Sequence, residues 1–308
     1  MVLSKILSLF SSGVNVKNPP INLCFKGGGV KGCAYVGVYK ALEENYLVNN
    51  IENIIGSSAG AIFACAVALK VPSEKLEEII LNTDFTKFKD ESWGYAGKEY
   101  RMVEYYGYYN GDYFFNWFSD LLQQLVGEID ITFEKVYEKF KVNLIITASD
   151  ITEGKIVYFS KDTTPEMELR MAVRCSMSIP FFFIPVQIID QNEKVHYYID
   201  GGCMNNYPLD YFSETNEETW GFNLLDDTFN LNPINNIIDF TTNIILTEIN
   251  EINKLHYSKI PPKIENLKTI NIPTLDLKAT DFDISKEKIQ ELINIGYKET
   301  ITHCLKNR

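Results

Sequence analysis

Ile54-Ile55-Gly56-Ser57-Ser58-Ala59-Gly60 is the stretch on which the chain turns. Two β-branched apolar residues lead into Gly-x-Ser-x-Gly, and the following Ala61-Ile62-Phe63-Ala64-Cys65-Ala66-Val67-Ala68-Leu69 is apolar on every face. A short buried strand, a sharp turn and a buried helix give this pattern. Such a turn lifts Ser58 clear of the sheet, and Gly56 and Gly60 let the backbone bend where a Cβ would clash. Ser58 then stands at the amino end of a helix, whose free N–H groups and dipole favour a developing negative charge. Taken alone, the same five residues also suit an ordinary glycine-rich strand-to-helix turn.

Upstream, Ile21 to Phe25 reads as a strand, followed at once by Lys26-Gly27-Gly28-Gly29-Val30-Lys31-Gly32 and a helical run through Tyr35, Val38, Tyr39 and Leu42. Strand, glycine turn and helix cradle an anion, because backbone N–H groups can converge without Cβ interference. Gly27, Gly29 and Gly32 also satisfy G-x-G-x-x-G, which brings in a dinucleotide-binding oxidoreductase as an alternative. That reading wants an acidic residue at the end of the second strand, about 20 residues on. The second strand ends in Gly56-Ser57-Ser58 instead, and the alternative loses its support.

Downstream, Ser73 after Pro72 predicts a helix cap. Residues 93–118 hold Trp93, Tyr95, Tyr100, Tyr105, Tyr106, Tyr108, Tyr109 and five more aromatics, with glycines at 94, 97, 107 and 111. Core and loop packing accounts for such a segment, and a glycine-jointed lid or apolar acyl groove is the competing role. Asp112 is expected to cap a helix running to about Val126. Strands are expected over Val142 to Ser149 and Lys155 to Ser160, then a helix opened by Pro165 and stopped by Ser178-Ile179-Pro180. Phe181 to Pro185 follows as an apolar extended run. Val195 to Ile199 is a strand ending in Asp200-Gly201-Gly202, where a carboxylate either projects into a crevice or serves a simple β-turn. A strand over Trp220 to Leu224, a helix over about 233–253, a strand over Thr269 to Ile272 and a last helix capped by Ser285 complete the chain. Strands alternate with helices throughout, which predicts one three-layer α/β globule.

Bulk properties narrow the function. At 308 residues the chain can bury a sizeable core. A net charge of −12 argues against nucleic-acid binding and against adhesion to anionic lipid, while leaving room for a local membrane-docking face. The six cysteines contain no C-x-x-C pair and several sit in apolar runs, which reads as buried, reduced thiols in a cytoplasmic protein. No apolar stretch is long enough to span a bilayer. Val2, Leu3, Ile6, Leu7 and Phe10 fall at helical spacing, so residues 1–19 form an amphipathic or flexible leader; Ser4, Lys5 and Ser8 interrupt the apolar run a signal peptide needs.

An anion-cradling turn, an elbow serine and a strand-end aspartate, in that order, are what acyl transfer requires: oxyanion donors, a nucleophile and a proton acceptor. None of the three histidines, His196, His256 and His303, sits in a motif of its own, which leaves Asp200 to act as base directly. The arrangement resembles the patatin-like phospholipases over roughly residues 20–212. Gly27-Gly28-Gly29-Val30-Lys31-Gly32 is similar to the family's oxyanion turn, Gly56-Ser57-Ser58-Ala59-Gly60 to its elbow and Asp200-Gly201-Gly202 to its aspartate motif, with Asn205-Asn206-Tyr207-Pro208 following. The resemblance implies a three-layer α/β/α fold with a central mostly parallel sheet, residues 213–308 completing the same globule. It implies a lipid acyl hydrolase of phospholipase A type, with Ser58 and Asp200 as catalytic dyad, an acyl-enzyme, and no metal or cofactor. Its oxyanion residues are Gly27, Gly28, Gly29, Lys31 and Gly32. The implied partner is a phospholipid or other lipid ester, met at a membrane surface by a cytoplasmic, peripheral protein; a protein activator is an open question. An acyltransferase would use the same dyad. Because an ordinary aspartate, of pKa about 3.9, is a weak base for serine, the scheme leans on oxyanion donors worth about 3–4 kcal/mol each.

Overall fold

The computed structural model describes residues 14–90, 94–225, 233–259 and 265–308. The helical spacing at Val2 to Phe10, and Trp93, lie outside the described residues. Ten strands are present among them: β1 (Asn22–Phe25), β2 (Asn53–Gly56), β3 (Gly107–Tyr109), β4 (Asn143–Asp150), β5 (Lys155–Phe159), β6 (Phe181–Phe183), β7 (Val186–Ile189), β8 (Val195–Asp200), β9 (Thr219–Leu225) and β10 (Leu267–Pro273). The main sheet runs β10-β9-β1-β2-β4-β8-β7, with β5 on β4, while β3 and β6 form a separate pair. The neighbours from β10 to β4 are all parallel. Antiparallel pairing is confined to β5, β7 and β8.

Side chains alternate across this sheet with period two. On one face Leu23, Phe25, Ile54, Leu144, Ile146, Trp220 and Phe222 join the large core, which includes residues of the helices Ala34–Glu44, Ala59–Ala68 and Lys286–Lys306. On the other, Cys24, Ile55 and Ile145 meet Tyr207, Leu209 and Phe212 in a much smaller cluster. The expected α/β architecture with a central, mostly parallel sheet flanked by helices is present, with one thick helical layer and one thin one.

The site's position follows from the strand pairing. β2 pairs with Asn143 to Ile146 at the start of β4, and β5 takes Ile146 to Asp150. β8 pairs with Ala148 to Asp150, so it must lie on the edge of β4 that β2 vacates. β2 and β8 therefore approach along one edge from opposite directions, and their carboxyl ends meet.

Several local expectations shift. The helix Ser73–Asn82 has Pro72 as its cap residue, and the Ser73 N–H is met by Glu43 Oε2 at 3.0 Å. The helix Asp112–Val126 is capped by Gly111 at φ 78°, with Asp112 as its first residue rather than its cap. Ser285 does cap the last helix, accepting from the Lys288 N–H. The helix expected over 233–253 spans Ile237–Lys259, and β3 and β7 were not anticipated. All six cysteines are free, and five are buried.

Candidate active site

The elbow is built by close approach. A Cβ at Gly56 would lie 2.3 Å from Gly60 O, and one at Gly60 2.2 Å from Phe25 O, so the strand end, the helix start and β1 touch backbone to backbone. Ser58 sits between them at φ 53°, ψ −128°. For a residue with a Cβ such a conformation costs about 1–3 kcal/mol and persists only where its surroundings hold it. Its N–H donates to Ser176 Oγ at 2.9 Å.

Ser58 Oγ donates to Asp200 Oδ2 at 2.7 Å. The other carboxylate oxygen accepts from the Gly202 N–H at 2.7 Å. Gly201 packs so tightly that a Cβ there would lie 2.3 Å from Thr147 Oγ1. Asp200 is 2% exposed and Ser58 5%. Burial pushes the Asp200 carboxyl up to about 7, against the opposing pull of the Ser58 hydroxyl and the Gly202 N–H. The weak-base premise drawn from an ordinary aspartate thus does not describe this residue.

The glycine turn lies against the serine. A Cβ at Gly27 would come within 2.9 Å of Ser58 Cβ and 2.0 Å of Asn206 Oδ1. The Gly27 N–H, however, donates to Asn206 O at 2.9 Å, so it is already committed. Gly28 is extended, with φ −179°. Gly29 takes φ +56° beside Ala279 O, which instead receives the Val30 N–H at 3.1 Å. Among the described residues no hydrogen bond occupies the N–H of Gly28 or Gly29. Lys31 is buried in the short 3-10 turn Gly29–Cys33, and Gly32 packs on Ala59. The Tyr35 hydroxyl spans β1 and β9, 2.7 Å from Lys26 O and 3.1 Å from Phe222 O, and so anchors the approach to the turn.

Three contributors received no role from sequence, although Asn206 stands in the quoted Asn205-Asn206-Tyr207-Pro208. Asn206 Nδ2 donates to Gly27 O at 3.1 Å, tying the segment after Asp200 to the glycine turn. Ser176 to Ser178 wrap the pair: Ser176 Oγ holds Ser58 N, Ser178 O accepts from Asp200 N at 2.8 Å, and Met177 Sδ lies 3.8 Å from Ser58 Oγ. Arg174, buried, donates to Ser178 Oγ at 2.5 Å, to Asn110 O at 2.6 Å and to Ile184 O at 3.0 Å. Ser176 to Ser178 stand in Ala172 to Pro185, a stretch that in the sequence resembles a segment of the same family and whose Ser178 also reads as a helix stop, with no role assigned to its serines. The histidines stand apart: His196 Nδ1 is 2.8 Å from Asp150, His256 Nδ1 3.6 Å from Asp210, and His303 lies edge-on to Trp220. Such a site has a serine hydroxyl, a raised carboxyl to receive its proton, and two uncommitted N–H groups beside them.

The model of the patatin-like phospholipase family matches residues 23–213. An uncharacterized protein of Acanthamoeba polyphaga mimivirus is 29% identical over 295 residues, 92% of this chain and 94% of that protein. A probable lipid hydrolase of Invertebrate iridescent virus 6 is 26% identical over 257 residues, 81% of this chain and 84% of that one. Among solved structures, VipD from Legionella pneumophila superposes with a TM-score of 0.60 at 17% identity, covering 95% of this chain and 68% of its own. That likeness shows a shared fold. Among the described residues no helix is long and apolar enough to cross a membrane.

Proposed function

The chain belongs to the patatin-like phospholipase family, whose members act on lipid esters, and from that premise we propose that it is a phospholipase A-type acyl hydrolase working through Ser58 and Asp200. The observation that carries the reading is the 2.7 Å hydrogen bond from Ser58 Oγ to Asp200 Oδ2. A carboxyl raised to about 7 is ionised in part at neutral pH and basic enough to take a hydroxyl proton. Ser58 Oγ attacks the ester carbonyl as its proton moves to Asp200. The tetrahedral oxyanion forms against the N–H groups of Gly28 and Gly29, with Lys31 adding positive potential and Gly27 and Gly32 shaping the turn. Gly56 and Gly60 hold the elbow, Gly201 the close packing on β4, and the Gly202 N–H the second carboxylate oxygen. Asp200 returns the proton to the departing alcohol, and water, deprotonated by the same carboxylate, releases the fatty acid.

A fluorophosphonate probe with peptide mapping tests the nucleophile. Labelling at Ser58, abolished in Ser58→Ala, is expected, together with free fatty acid from radiolabelled phospholipid and turnover that persists in chelator. Labelling at another serine, or transfer of the acyl chain to added alcohol without release to water, would overturn the reading.

A further inference from the structure

The helix Ile237–Lys259 is apolar on two faces, with Ile245, Leu246, Ile249 and Ile252 half-buried on its inner side. None of its described residues belongs to the hydrophobic core or packs against it. Thr242 and Asn243 are buried. Thr242 Oγ1 and Asn253 Oδ1 have no hydrogen-bond partner, and neither has Asn205 Oδ1 on the short helix Gly202–Asn205 that it packs against. Outward, Ile237, Phe240, Ile244 and Leu255 are exposed. At 3.6 residues per turn these four fall on one stripe. Ordinary folding puts such a stripe inside.

Its place in the fold gives this exposed stripe a use. It lies on Gly202–Asn205, the segment directly after Asp200, and on β6, three residues beyond Ser178. Phe181, at the start of β6, is itself exposed and left-handed, at φ +64°. The Ser58 and Asp200 side chains are almost wholly closed from solvent, so an acyl chain reaches them only if something moves. The His256–Asp210 contact, 3.6 Å long and partly exposed, is a weak tether.

We propose that Ile237–Lys259 is an interfacial helix. It lays Ile237, Phe240 and Ile244, with Phe181, on a zwitterionic lipid surface, and in doing so lifts from Gly202–Asn205 and uncovers Ser58. The inference rests on the lipid-ester reading of that site. Exposed Glu248 and Glu251 continue the same stripe between Ile244 and Leu255, and the chain carries −12 overall, so an anionic surface is repelled where a zwitterionic one is not. Buried polar groups without partners make release inexpensive, since water satisfies them once the helix lifts.

Flotation of full-length Ser58→Ala protein with phosphatidylcholine vesicles isolates docking from chemistry. The triple change Ile237→Ser, Phe240→Ser, Ile244→Ser should cut the bound fraction by about tenfold or more. In the Ser58 background it should cut vesicle turnover by a like factor and spare a short soluble ester. Amide exchange over 237–259 should accelerate on vesicles. Thr242→Val, which removes an unpartnered hydroxyl at nearly constant shape, should raise the melting temperature yet slow vesicle turnover. If the triple variant melts the fold, Phe240→Ser alone carries the comparison. Equal flotation of variant and parent, unchanged exchange, or loss of a dimer rather than of vesicle binding would overturn the proposal. Vesicle binding by a protein that hydrolyses no ester would uphold it and sink the hydrolase reading.

Discussion

At the scale of residues, Asp200 holds the sharpest consequence. Its carboxyl, raised to about 7 by burial, makes kcat/KM rise with pH and level off above that value. Asp200→Asn should lower kcat by about a thousandfold or more while folding persists. The same shift bears on stability. Below pH 4 the proton is held in both folded and unfolded chains; as pH rises toward 7 only the folded chain holds it, and stability falls. Asp200→Asn should therefore melt above the parent at pH 8, a difference that closes near pH 4, as calorimetry across pH will read. Single substitutions of His196, His256 and His303 should each cost less than about tenfold in kcat, since their partners lie elsewhere; a histidine variant as inactive as Ser58→Ala would mean a triad. Ser58 and Asp200 were legible in the sequence because glycines mark where backbones crowd. The roles of Ser176 and of Asn206, the latter quoted in its motif, and the basicity of Asp200 were not, because they arise from contacts across more than a hundred residues and from burial, which no local pattern records.

At the scale of elements, the aromatic segment divides. Tyr105 and Tyr106 are exposed, whereas Tyr109 is buried with its ring 4.8 Å from Phe182. The segment that reads as core packing or as a lid thus holds covered and exposed rings side by side. Replacing Tyr105 and Tyr106 by serine is expected to lower vesicle turnover several-fold and leave a soluble ester untouched. Tyr109→Ser should instead destabilise by about 2–4 kcal/mol in chemical denaturation and lower both activities. Spacing alone could not make this division: which ring is covered depends on β3 pairing with β6, a contact between residues 107 and 181. The starts of the helices at 73, 112 and 286 were legible to within one residue, whereas those expected from Pro165 and from about residue 233 begin at Leu169 and Ile237. Pro72 and Gly111 took the cap position because their own backbone preferences end the preceding turn, which displaced Ser73 and Asp112 inward.

At the scale of the molecule, alternation of strand and helix was enough to predict the α/β class, but not the order of the strands. β9 inserts beside β1, nearly two hundred residues away in the chain, and the last helix packs so closely on Ala34–Glu44 that a Cβ at Gly37 would lie 1.8 Å from Ile293 O. Nothing periodic in the sequence announces either contact. The pairing of β1 with β9 has a practical corollary for anyone trimming the chain. A fragment holding residues 20–212 would retain the serine, the aspartate and the glycine turn, and would lose the neighbour along one side of β1. Asn22 to Phe25 would then present a bare ladder of N–H and C=O groups, lined by Leu23 and Phe25, to any other copy in solution. Such a fragment should collect in inclusion bodies, and refolding should return β-rich aggregate rather than soluble but inactive monomer, whereas restoring residues 213–308 in trans should rescue solubility by supplying the missing strand.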